Sequence, residues 1–264
     1  MTEILSQVLR NRDKKLITFI TGGDPDLATS NQIIEKMITN NIDIIEIGMP
    51  FSDPMADGPT IQASSNRALQ NSINLDDIFK LAYNAKSKKS ELPIILMGYY
   101  NVILNYGIKS FVQNCVANGV DGLIIVDLQP EEDSELLTKT KDKDIDLIRL
   151  ITPTTDQKRL TTIVSNASGF LYYVTVTGIT GQNSANIEDL KKSINTIKSS
   201  TKLPIVAGFG IKNKNDVEKI STFTDGVVVG SSIVNIIKDN LNDKDKMINE
   251  IKVFTKDLKE GIKK

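Results

Sequence analysis

The chain contains no histidine and only one cysteine, Cys115. Without histidine there can be no Ser-His-Asp or Cys-His nucleophilic system, and none of the histidine metal sites used by metal-dependent aldolases and hydrolases. A single cysteine cannot close an intrachain disulfide or build a zinc or iron–sulfur cluster. Acid–base chemistry must therefore rest on carboxylates, lysine or tyrosine. Cys115 lies in Phe111-Val-Gln-Asn-Cys-Val-Ala117, where it reads as a core position of a helix.

Charge bias is also missing. Lys and Arg number 32 against 33 Asp and Glu, a formal net charge of -1, so no global pull toward nucleic acid or an anionic membrane is expected. Local anion sites stay open. No apolar run approaches a membrane-spanning length, and Met1–Arg10 is a short amphipathic segment without the apolar core of a signal peptide. That segment reads as a short extra N-terminal helix, and the chain as cytoplasmic or as the mature form of an organellar protein. There is no Pro/Gly/Ser-rich linker and no long like-charge block, so residues 1–264 are expected to form a single domain. The lysine-rich tail Lys256–Lys264 reads as part of a solvated helix.

What is present is an alternation of strand and helix patterns. Strand-like apolar runs recur at Leu16–Thr21, Ile42–Ile47, Pro93–Met97, Gly122–Asp127, Asp146–Ile151, Gly169–Val174, Leu203–Ala207 and Gly226–Val229. Between them lie helical periodicities at Ala28–Met37, Leu75–Ala85, Ile108–Ala117, Glu131–Lys141, Lys158–Ser165, Ile187–Ile197 and Asn215–Ile220. Eight such units in a chain of this length predict an α/β fold of the (β/α)8 TIM-barrel type, whose chemistry gathers on the loops at the C-terminal ends of the strands.

One strand end carries two carboxylates. Glu46 interrupts the apolar run Ile42–Ile47, on the same face as Ile44 and opposite Ile45 and Ile47, which predicts a carboxylate at the rim of the barrel interior. Such a group either finds a lysine or a loop to pair with, or has its pKa raised into the range of a general acid or base. Asp57 follows in Ala56-Asp-Gly58, which by itself is a common turn. Across the barrel, the seventh strand runs into Ala207-Gly-Phe-Gly-Ile211 and the eighth into Gly230-Ser-Ser-Ile-Val234. Loops after strands seven and eight often seat a phosphate, so Gly210, Gly230 and Ser231 are the leading N–H donors, with a purely structural turn as the alternative. After strand six, Thr177-Gly-Ile-Thr-Gly181 and a polar segment suit a lid that closes over a ligand. Phe19, Met97, Tyr99 and Tyr100 lie near other strand ends, where they line an apolar slot or fill the upper core. A Schiff-base aldolase would need a lysine inside the barrel, and Leu171-Tyr-Tyr-Val-Thr-Val176 carries none.

Taken together, the motifs resemble the tryptophan synthase α subunit family over essentially the whole chain. The most specific segment is Glu46-x-Gly-x-Pro-Phe-Ser-Asp-Pro-x-Ala-Asp-Gly-Pro-x-Ile-Gln62. Phe19-Ile-Thr-Gly-Gly-Asp-Pro25, Leu96-Met-Gly-Tyr-Tyr-Asn101, Asp127-Leu128, Thr177-Gly-Ile-Thr-Gly181, Gly208-Phe-Gly-Ile211 and Gly230-Ser231 add to it. The resemblance implies a lyase that cleaves indole-3-glycerol phosphate to indole and glyceraldehyde 3-phosphate by a retro-aldol step. It implies Glu46 as the proton shuttle and Asp57 as the carboxylate facing the indole N–H. It further implies Phe19, Met97, Tyr172, Thr180, Gly181, Gly210, Gly230 and Ser231 as substrate-binding residues. No metal or cofactor is implied for this chain; pyridoxal phosphate belongs to a β subunit, the partner in an α2β2 complex, with contact expected over Gly48–Pro59 and Asn101–Tyr106. The chain departs from the family pattern at Gln129, which intervenes between Asp127-Leu128 and Pro130 and bears on the local loop shape.

Overall fold

Among the described residues, nine strand segments, all paired in parallel, form one continuous sheet. They are β1 (Lys15–Thr21), β2 (Ile44–Gly48), β3 (Ile94–Gly98), β4 (Gly122–Ile125), β5 (Asp146–Leu147), β6 (Arg149–Ile151), β7 (Leu171–Val174), β8 (Ile205–Gly208) and β9 (Gly226–Val229). The computed structural model describes residues 4–10, 13–174, 184–208 and 210–262. Hydrogen bonding runs β5-β4-β3-β2-β1-β9-β8-β7-β6, and only Ile148 separates the two ends of that order, so the sheet closes on itself. β5 and β6 are two halves of the fifth barrel strand. The sequence run Asp146–Ile151 is continuous, but its first half pairs with β4 and its second with β7. The stagger that closes a tilted barrel hands the pairing over at Ile148.

The helices are α1 (Ile4–Arg10), α2 (Leu27–Thr39), α3 (Pro59–Gln70), α4 (Leu75–Lys88), α5 (Tyr100–Tyr106), α6 (Ile108–Ala117), α7 (Ser134–Thr140), α8 (Gln157–Ser165), α9 (Ser184–Ser200), α10 (Lys214–Ser221), α11 (Ser231–Asp239) and α12 (Lys244–Glu260). Their starts follow local chemistry. Asp26 caps α2 by accepting the Thr29 N–H, and Asn74 with Asp77 forms a capping box on α4. Asp133 flanks α7 without a side-chain cap bond because its carboxylate is taken by Arg149. The α7 helix therefore begins after the run Gln129–Asp133, later than the pattern Glu131–Lys141 predicts. The tail helix α12 is docked, not merely solvated: Met247, Ile251, Thr255 and Leu258 are buried.

Strand alternation divides the core in two. Ile45, Ile47, Leu96, Leu123, Tyr173 and Ala207 face the helices, whereas Ile17, Ile44, Ile95, Ile124, Ile148, Phe170, Tyr172, Val206 and Val228 fill the barrel interior. Leu5 and Leu9 of α1 join the interior cluster. They lie against Gly122 and Gly226, the first residues of β4 and β9, so α1 plugs the floor of the barrel. With the floor closed, the open end is the one where the strands finish. Cys115 is fully buried on α6, as its pattern predicts. Among the described residues no helix is long and apolar enough to cross a membrane.

Candidate active site

Glu46 sits inside the barrel with no solvent exposure. Its register partners are Phe19 on β1 and Ile95 on β3, both apolar, and neither carboxylate oxygen has a hydrogen-bond partner. A carboxylate so placed has exchanged water for hydrocarbon, and desolvation pushes its pKa up from 4.5 to about 8. The sequence places Glu46 at the rim on the Ile44 face. The face is correct, and the burial is deeper than a rim position. Tyr172 also projects into the interior, and Tyr173 points outward as alternation requires. The Tyr172 hydroxyl lies over Gly208, where any Cβ would come within 2.6 Å of it. Burial raises the Tyr172 hydroxyl well above its ordinary value, and the negative charge of Glu46 raises it further.

Asp57 reaches the same end of the barrel on the loop between β2 and α3. The loop is folded on itself. The Met49 N–H donates to Met97 O at 2.8 Å, the Asp57 N–H to Pro54 O at 3.1 Å, and the Gln62 side chain to Asp57 O at 2.8 Å. α3 starts at Pro59 and is pinned to β1 by a hydrogen bond between Thr21 and Ser64 (2.5 Å). A bidentate pair of Arg67 with the buried Asp24, 2.7 Å on each arm, fixes it further. Asp57 is half-buried, and burial raises its pKa to about 6 while a hydrogen bond from Tyr99 pulls it back. The two carboxylates thus differ. Near neutrality Glu46 holds its proton and Asp57 is mostly ionised, a division suited to paired acid and anion roles.

Phe19, Met97 and Asp57 line one cleft, together with Thr21, Gly48, Ile61, Ser65 and Tyr99. Tyr100 packs instead against the strand–helix layer. Thr21 follows Phe19 by two residues and was open to the same alternation argument, whereas Ile61 and Ser65 come from a helix the apolar pattern does not reveal. Gly230 backs onto Phe19, with an ideal Cβ 3.3 Å from its ring. It precedes Ser231, the first residue of α11, and the Ser232 hydroxyl donates to Ile211 O at 2.6 Å, joining the loops after β8 and β9. Gly210, at φ +59, has open space where its Cβ would be. Thr180 and Gly181 lie outside the described residues. Two further clefts flank α1 at the closed end of the barrel, away from both carboxylates.

The family model for the tryptophan synthase alpha chain matches residues 5–263. A tryptophan synthase alpha chain from Petrotoga mobilis is 43% identical over 255 residues, covering 97% of this chain and 98% of that protein. The crystal structure of tryptophan synthase subunit alpha from Legionella pneumophila superposes with a TM-score of 0.90 at 34% identity, over 99% of this chain and 98% of that one. A Mycobacterium tuberculosis tryptophan synthase structure gives a TM-score of 0.88 at 28% identity, covering 99% and 97%. With a closed eight-stranded barrel, one carboxylate buried inside it and another on a loop at its open end, the chain belongs to the tryptophan synthase alpha chain family and is a carbon–carbon lyase acting on indole-3-glycerol phosphate.

Proposed function

We propose that Glu46 carries out both proton transfers of the cleavage and that Asp57 stabilises the indole ring while they occur. Glu46, protonated because it is buried, gives its proton to C3 of the indole. The resulting carboxylate then takes the proton of the glycerol hydroxyl next to the breaking bond. As that O–H becomes a carbonyl, the carbon–carbon bond breaks, its electron pair returns to the ring, and indole and glyceraldehyde 3-phosphate separate. Glu46 ends with its proton restored. Asp57, ionised, accepts the indole N–H as positive charge develops on the ring.

The observation that carries this reading is the unpartnered, fully buried carboxylate of Glu46, paired in register with Phe19 and two residues before Gly48, both of which line the cleft that holds Asp57. Phe19 and Met97 are proposed to flank the indole ring, with Tyr172 beside the reacting carbon. The backbone N–H groups of Gly210, Gly230 and Ser231 are proposed to hold the phosphate, as the glycine backbone and the start of α11 favour. The chemistry asks for no cofactor in this chain. Residues 1–264 are proposed to work as one domain, in the cytoplasm, with a pyridoxal-phosphate β subunit in an α2β2 complex. Met55 (84% exposed) and Leu104 (50% exposed) offer apolar contact on the two segments proposed to meet it.

The test is cleavage of indole-3-glycerol phosphate by Glu46→Gln and Asp57→Asn, with indole measured. Both variants are expected to stay folded and to lose turnover by at least about a hundredfold. Near-native turnover in either would remove that residue's role, and failure of the chain to co-elute with a β subunit would remove the complex.

A further inference from the structure

We propose that Tyr99 is the positioning residue for Asp57, holding its loop by a hydrogen bond to the Ala56 backbone and turning its hydroxyl proton toward the carboxylate. The inference rests on Asp57 acting at the indole N–H. Tyr99 follows β3 directly, and its ring is buried against Phe51, with centroids 5.4 Å apart. Its neighbour Tyr100 donates its N–H to Asp127 Oδ1 at 2.8 Å, so the corner that carries the phenol is anchored to the end of β4. From this fixed corner the hydroxyl reaches the Asp57 loop and accepts the Ala56 N–H at 3.1 Å.

A phenol has one proton to give. With a lone pair of the Tyr99 oxygen taken by Ala56, that proton is left to face the Asp57 carboxylate, which lines the same cleft. A phenol proton on that side leaves the remaining acceptor positions of Asp57 for the substrate N–H, and it favours the ionised form against the burial that opposes it. Burial first, and the nearby Asp57 charge second, make the phenol harder to ionise, keeping the Tyr99 proton in place throughout the pH range of the reaction.

Tyr99→Phe keeps the ring, its packing against Phe51 and the wall of the cleft, and removes only the hydroxyl. kcat is expected to fall by about ten- to a hundredfold, the worth of one hydrogen bond to a charged group, with KM little changed. The acid limb of the kcat/KM profile is expected to move to higher pH, because Asp57 loses the contact that favours its ionised form. A residue that merely fills space would leave both unchanged in the Phe variant, and that outcome would overturn the proposal. Combining Tyr99→Phe with Asp57→Asn should add no further loss; an additional tenfold loss would show that Tyr99 acts elsewhere. Should Asp57→Asn alone prove near-native, the reading of Asp57 fails. Should it prove inactive while Tyr99→Phe is silent, only the role of Tyr99 fails.

Discussion

Glu46 is expected to make the protein less stable than it would otherwise be, in a way that pH reveals. Its carboxyl has an ordinary value of 4.5 and is raised to about 8 by burial between Phe19 and Ile95. Between those values the native chain keeps a proton that the unfolded chain releases, so stability falls as pH rises, by up to about 1.4 kcal/mol per pH unit. The contribution is fully present below 4.5 and is lost by the time pH passes about 8. Integrated from about pH 5.5 to about pH 8.5, the loss is about 3 kcal/mol. Glu46→Gln has nearly the same shape and cannot ionise, so its stability lacks this term. Urea unfolding of both proteins across that range, with the difference taken at each pH, cancels the other titrating groups. The variant should gain on the native protein by about 3 kcal/mol over the range while losing turnover, a trade of activity against stability. A difference that stays constant with pH, or that shrinks as pH rises, would refute the reasoning, because Glu46 would then be hydrated or paired in the native protein.

Three further outcomes are expected. Arg67→Ala leaves the buried Asp24 carboxylate unpaired and loosens α3 from the loop after β1, so it should cost about 3 kcal/mol in urea unfolding; a loss under about 1 kcal/mol would mean the pair carries little. Gly208→Ala puts a methyl group 2.6 Å from the Tyr172 hydroxyl and should cost about 1–3 kcal/mol and slow the reaction, with Tyr172→Leu in the same chain recovering part of the stability. Burial pushes the Cys115 thiol above its ordinary value, so labelling by a thiol reagent should wait on unfolding of the chain, and prompt labelling of the native protein would contradict its place in the core.

The barrel was legible because its strands are buried on both faces and its helices have apolar stripes. α3 was not, because the face it buries is Ser64, Ser65 and Ala68, small and mostly polar, so no 3.6-residue apolar period appears. That helix nonetheless anchors the Asp57 loop. Glu46 could be read from one strand, since a charge inside an apolar run declares itself. Asp57 could not, because what distinguishes it from an ordinary Ala-Asp-Gly turn is the Tyr99 hydroxyl, brought from a distant strand by pairing of β2 with β3. Gln129 illustrates the same limit. Its side chain, with Glu131, accepts from Arg159, while Arg149 donates to Leu128 O at 3.1 Å and pairs with Asp133. The loop around the extra residue is held by two arginines from later strand and helix segments, Arg159 on Gln129 itself and Arg149 on its flanks, and spacing alone does not reveal them.

The division of labour between the two carboxylates is tested most directly by the pH dependence of kcat/KM for indole release from indole-3-glycerol phosphate. The expected profile is a bell that rises near about 6, where Asp57 ionises, and falls near about 8, where Glu46 loses the proton it must donate. A rate that keeps climbing through about pH 9 would contradict this, because the buried glutamate would then have to begin the reaction without the proton it must give.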